Sequence, residues 1–250
     1  MLKRMIESIE LNDVGTLTTL LSSKEEEEKG DNSNDTTNTV TVTVQPFSKD
    51  DMTTLVITAS QNGSFECLKA LIDHVNTTNR MEYDINSKDR LGNNAIVVAT
   101  NTATVEYLLQ HGADANSSNK RGFTALMNAA KIGNQNCLSL LIRSGANVNV
   151  TEQYNNRTAL MFASINGFEN CVRILLENGA EVNRVDFERK SAVMYASQLG
   201  HEYCVDVLKE FHADMNMTDY RGRNAQSYST FKGILQELVS GGSMGDGMMK

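Results

Sequence analysis

The feature that most constrains this chain is that it repeats itself. Thr124 to Asn149 reads TALMNAAKIGNQNCLSLLIRSGANVN, and Thr158 to Asn183 reads TALMFASINGFENCVRILLENGAEVN, an offset of 34 residues. Ser191 to Asn216, SAVMYASQLGHEYCVDVLKEFHADMN, follows after 33 more. Thr54–Ile72 shares the frame, and so does Asn94–Asn116 once about three residues are removed near Asn101. A unit of this size cannot bury an apolar face alone, so it must gain a core by stacking on its neighbours.

Each unit predicts helix, turn, helix, loop. Thr124 and Thr158 are placed to cap a first helix through their hydroxyls. Leu126, Met127, Ala129 and Ala130 fall at helical spacing, and Gly133 and Gly167 end that helix. Cys137, Leu138, Leu140, Leu141 and Ile142 form the stripe of the second helix, with Gly145 and Gly179 where a left-handed residue closes it. The polar stretch that follows, such as Asn149–Thr158, is long enough for a projecting hairpin.

The pattern D-x-x-G-x-T-A-L-M-x-A-A-x-x-G-x-x-x-C-x-x-L-L-x-x-G-A-x-x-N resembles the ankyrin repeat, over about Ser48 to Leu238. The resemblance implies an all-α solenoid of stacked helix pairs with projecting β-hairpin or loop fingers. It divides the chain into an N-terminal capping helix pair (1–22), an acidic and TV-rich insertion (23–48), five central repeats (49–218), a C-terminal capping repeat (219–240) and a flexible tail (241–250). The family's T-P-L-H stands here as T-A-L-M, so its histidine hydrogen-bond network is expected to be missing. Repeats of this TALM-plus-cysteine kind look like those of unicellular eukaryotes.

Several local features qualify the repeat. The insertion holds Glu25–Glu28, an Asn- and Thr-rich run and Thr39-Val40-Thr41-Val42-Thr43-Val44. It reads as a flexible surface insertion with a weak strand, or as an acidic pseudo-ligand folding back onto basic fingers. A second insertion lies at Val75–Tyr83, and the shortened unit near Asn101 predicts a local step in the stack.

Catalytic and metal readings fare poorly. Cys67, Cys137, Cys171 and Cys204 share one repeat position, but packed helices lie ~8–10 Å apart. Zinc needs every sulfur within ~2.3 Å, so the cysteines are expected as small buried core residues. The histidines at 74, 111, 201 and 212 form no ligand cluster; His201 reads as structural, and His111 and His212 as helix-end contacts. Gly241-Gly242-Ser243-Met244-Gly245 fits G-x-S-x-G, but lacks the strand and helix that a nucleophile elbow requires. The chain is expected to be no enzyme and to need no cofactor. Nothing at the start resembles a signal peptide, and no apolar run approaches the ~18 residues of a membrane span. Cytoplasm, with the nucleus as alternative, is the expected location, and a monomer the expected state.

Charge points to a working surface. The five inter-repeat fingers carry ten basic residues and five acidic ones, whereas the rest of the chain carries 13 and 26. An acidic protein, net −8, thus presents a basic edge. Phe123, Tyr154, Phe187 and Tyr220 recur there at repeat spacing, and Arg with aromatic residues is enriched in interface hot spots. The expected partner-binding residues are Arg90, Leu91, Lys120, Arg121, Phe123, Lys131, Tyr154, Arg157, Phe187, Arg189, Lys190, Tyr220, Arg221 and Arg223. The expected function is a non-catalytic interaction module that takes an acidic or phosphorylated protein segment on its concave finger face. The alternatives are nucleic acid on the same edge, which the net charge disfavours, and a scaffold using its convex side.

Overall fold

The structure, a computed structural model, describes residues 1–26, 48–78 and 83–229. The TVTVTV stretch, residues 79–82 of the expected second insertion, residues 230–240 of the expected C-terminal capping repeat and residues 241–250 lie outside them. The chain divides into two compact units, Met1–Lys120 and Arg121–Lys250. Unit 1 holds α1 (Leu2–Glu10), α2 (Val14–Glu26), α3 (Lys49–Asn62), α4 (Phe65–Thr78), α5 (Ala95–Val98) and α6 (Thr102–Gln110). Unit 2 holds α7 (Ala125–Ile132), α8 (Gln135–Arg143), α9 (Ala159–Asn166), α10 (Glu169–Glu177), α11 (Ala192–Leu199) and α12 (Glu202–Glu210). Residues 225–229 are again helical.

Within each unit the helices form two layers. In unit 1, α1, α3 and α5 stack in one layer, and α2, α4 and α6 in the other. In unit 2 the layers are α7, α9, α11 and α8, α10, α12. We call the first layer of each unit inner and the second outer. The apolar stripes meet between them: Leu55, Leu68, Leu71, Ile96 and Leu108 in unit 1, and Leu126, Leu138, Leu160, Leu175, Val193 and Leu208 in unit 2, are all fully buried. The four cysteines lie buried in this core on the outer helices as thiols rather than disulfides. Burial pushes the thiols of Cys171 and Cys204 up to about 11, so they stay protonated and unreactive at neutral pH.

Caps set the helix starts. The Thr124 and Thr158 hydroxyls accept from the Met127 and Met161 amides at 3.3 Å. Asn101 and Asn134 do the same for α6 and α8 at 2.7 and 3.0 Å. Ser48 and Asp51 form a reciprocal capping box at α3. The shortened repeat shows its loss in the helix rather than in the turn alone: α5 has 4 residues where α7, α9 and α11 have 8. Asn101 fills part of the gap by donating to Gly63 O at 2.7 Å.

The expected β-hairpin fingers are not there. Among the described residues no strand forms; pairing is limited to isolated bridges such as Val185 with Ser191. In four of the five fingers the reason lies in the acid that opens them, as the Asp186 finger shows. Asp186 N donates to Lys190 O at 3.0 Å, closing the turn. The Asp186 carboxylate then takes the amides of Glu188 and Lys190 at 2.9 and 2.8 Å. Amides that a strand ladder would need are thereby spent on a side chain. These four fingers are tight acid-braced turns.

Candidate functional site

The same brace recurs. Asp89 accepts from the Leu91 and Asn93 amides at 2.8 Å each, and Asp219 from Arg221 and Arg223 at 2.8 and 2.9 Å. Glu152, in a finger one residue longer, reaches Tyr154 and Asn155 at 2.8 Å each. Glu152, Asp186 and Asp219 are buried. Successive tips are also tied together by main chain. Lys120 N donates to Leu91 O in unit 1. In unit 2, Gln153 N donates to Arg121 O at 2.8 Å, Phe187 N to Asn155 O at 2.9 Å and Tyr220 N to Glu188 O at 3.2 Å. The tips therefore form a fixed row in each unit.

This bracing sorts the basic residues into two sets. Arg157, Lys190 and Arg223 each precede an inner-helix cap and turn inward. Arg157 Nη2 donates to Tyr195 Oη at 3.0 Å and its Nε lies 3.8 Å from Asp186. Lys190, buried, pairs with Glu188 at 2.9 Å. Arg223 grips Asp219 through Nε and Nη2 at 3.0 and 2.8 Å. Two tyrosines complete the lattice: Tyr195 Oη donates to Asp186, and Tyr228 Oη to Asp219 at 2.7 Å. Lys190 Nζ lies between the two rings, 5.3 and 5.7 Å from their centroids, and Arg157 and Arg223 cover them at 5.1 and 4.8 Å.

The titrations follow from this packing. Burial would push the Asp219 carboxyl up. The hydrogen bonds from Tyr228 and Arg223 outweigh it and hold the group far below the usual carboxylate range. Burial, with the adjacent carboxylate, drives the Tyr195 and Tyr228 hydroxyls well above the usual phenol value. Lys190, by its hydrogen bond, keeps Glu188 ionised below its ordinary range.

The second set faces outward. Arg121, Arg189 and Arg221 are exposed at the unit 2 tips, with Tyr154 (64% exposed), Phe187 (67%) and Tyr220 (55%) beside them. The Arg121 guanidinium stacks over Tyr154 at 4.4 Å, and Arg221 lies over Tyr220 at 5.1 Å while donating to its hydroxyl. Arg189 takes a left-handed backbone, φ 59°, where Gly222 in the next finger has φ 75°. Phe123 is half-buried, edge-on to Phe162 at 5.4 Å. Lys131 is exposed at the end of α7, beside Ile132. In unit 1, Arg90, Leu91 and Lys120 are exposed at their tips. Sequence reasoning missed Tyr195 and Tyr228. The available signal was a tyrosine nine residues after the finger acid, at Asp186/Tyr195 and Asp219/Tyr228.

The family described as ankyrin repeats (three copies) matches residues 11–119, 80–152, 95–186 and 126–219, which together span 209 of the 250 residues. With helix pairs in two layers and capped, braced fingers between them, the chain is a repeat-built interaction scaffold; it belongs to the ankyrin-repeat family. It is accordingly a non-catalytic, protein-binding scaffold. Among the described residues no helix is long and apolar enough to cross a membrane.

Proposed function

We propose that the fingertips of unit 2 bind an acidic or phosphorylated segment of a protein partner, in the cytoplasm or nucleus. The observation that carries this reading is the sorting of charge. The finger acids Glu152, Asp186 and Asp219 are buried, while Arg121, Arg189 and Arg221 face solvent beside exposed aromatics. Guanidinium groups suit carboxylate and phosphate because their paired N–H donors match two oxygens at once. The neighbouring rings supply rigid apolar contact area.

A nucleic-acid strand is the second reading, supported by the same exposed rings, on which bases could stack. The test is a pull-down from source-cell extract with wild type and with Arg121→Glu/Arg189→Glu/Arg221→Glu. Arg157, Lys190 and Arg223 are left intact because they brace the fingers. Loss of discrete protein partners is expected. An unchanged partner set would reject the tips and favour the outer helix layer, and loss of co-purifying RNA alone would favour the second reading.

A further inference from the structure

The unit 2 tips carry more than a general positive charge. Arg121 lies over Tyr154 and Arg221 over Tyr220, and the finger between them exposes both Phe187 and Arg189, so three consecutive fingers each present one aromatic ring and one guanidinium. Arg121 belongs to the finger before Tyr154, yet its guanidinium sits over that ring at 4.4 Å, so the charge is delivered one finger along. The main-chain bonds from tip to tip hold the three pairs in register.

Equivalent positions in stacked helical repeats recur at the packing distance of the helices, ~8–10 Å. A chain in the extended polyproline II conformation has three residues per turn and rises ~3.1 Å per residue, so every third side chain returns to the same face after ~9 Å and meets successive fingers. A helix rises ~1.5 Å per residue and would return to the row only about every seventh. Its thickness of ~10–12 Å would also straddle a row that is one tight turn wide.

On this basis we propose that the partner segment is an extended, polyproline-II-like peptide with acidic or phosphorylated side chains at every third residue, one for each of the three fingertips. This rests on the proposed function above and narrows it to a spacing. Each acidic group would meet a guanidinium, while the peptide stem between them crosses the Tyr154, Phe187 and Tyr220 rings.

The experiment titrates the full chain with fluorescent peptides of equal length, composition and charge at low salt. One places Asp at positions 1, 4 and 7 of a Gly/Ser background, one groups the three Asp together, and one alternates them. The every-third peptide is expected to bind about tenfold tighter than the other two. Arg189→Gln should remove most of that preference while leaving the grouped peptide's affinity little changed. Equal binding of all three peptides would overturn the spacing and leave the acidic-partner reading standing. Binding of none, with the protein folded by circular dichroism, would overturn both. Tighter binding of a single-stranded oligonucleotide than of any peptide would replace them with the nucleic-acid reading.

Discussion

Asp219 receives two backbone amides, the Arg223 guanidinium and the Tyr228 hydroxyl while being nearly withdrawn from solvent. A buried carboxylate so satisfied stabilises the fold only while it is ionised. Its pKa is depressed in the folded state, so its contribution is complete above the ordinary carboxyl value of about 3.9 and is lost as pH falls toward the folded value. Asp219→Asn should cost about 2 kcal/mol in urea unfolding at pH 7. The gap from wild type should stay constant from pH 7 down to about 5 and close below about pH 4. A gap independent of pH to pH 3 would show that the charge is not what matters. Arg189 makes the opposite case. It occupies a left-handed backbone position that L side chains adopt at a cost of roughly 1–2 kcal/mol, partly offset by the unfolded-state freedom a glycine adds, roughly 0.5–1 kcal/mol. Arg189→Gly should raise stability by about 0.5 kcal/mol while weakening partner binding, a divergence that thermal melts and titrations on one sample would register. An arginine kept at such a site fits a residue held for contact rather than for the turn.

The helix pair is the element that the sequence displays best. Thr124, Thr158 and the glycines after the inner helices mark starts and stops because capping and left-handed closure are local events. The glycine has a second role that is not local. A Cβ on Gly133 would come within 2.6 Å of the Phe168 ring, and one on Gly167 within 2.6 Å of His201 Nδ1, in each case from the following repeat. His201 is fixed there by Nε2 against Ile165 O at 3.0 Å. Gly167→Ala must therefore lose about 0.5–1 kcal/mol net from the left-handed backbone once the lost unfolded-state freedom of glycine is offset, with the displaced imidazole adding to it. The measured denaturation midpoint should fall accordingly, and a midpoint within error of wild type would contradict the wedge. The fingers were less legible. Their length admits a hairpin, and a string of residues does not reveal that one carboxylate will take two amides of the turn. Only the position of that acid, opening every finger but Asn119's, hints at it.

At the scale of the whole molecule, counting charges located the basic edge but could not divide it. Arg157, Lys190 and Arg223 look like Arg121, Arg189 and Arg221 in a composition count. Their difference is one of place, the residue before the helix cap against the tip of the turn. Tyr195 and Tyr228, which draw the first set inward, sit on a helix rather than in the finger. The central claim is therefore a division of labour between bracing and contacting cations. It is tested most directly by measuring affinity for the every-third acidic peptide and the unfolding midpoint in parallel, for Arg121→Gln/Arg189→Gln/Arg221→Gln and for Arg157→Gln/Arg223→Gln. The first variant should keep the wild-type midpoint and lose binding, and the second should lower the midpoint. A tip variant that binds as wild type does, or a brace variant that unfolds where wild type does, would contradict the account.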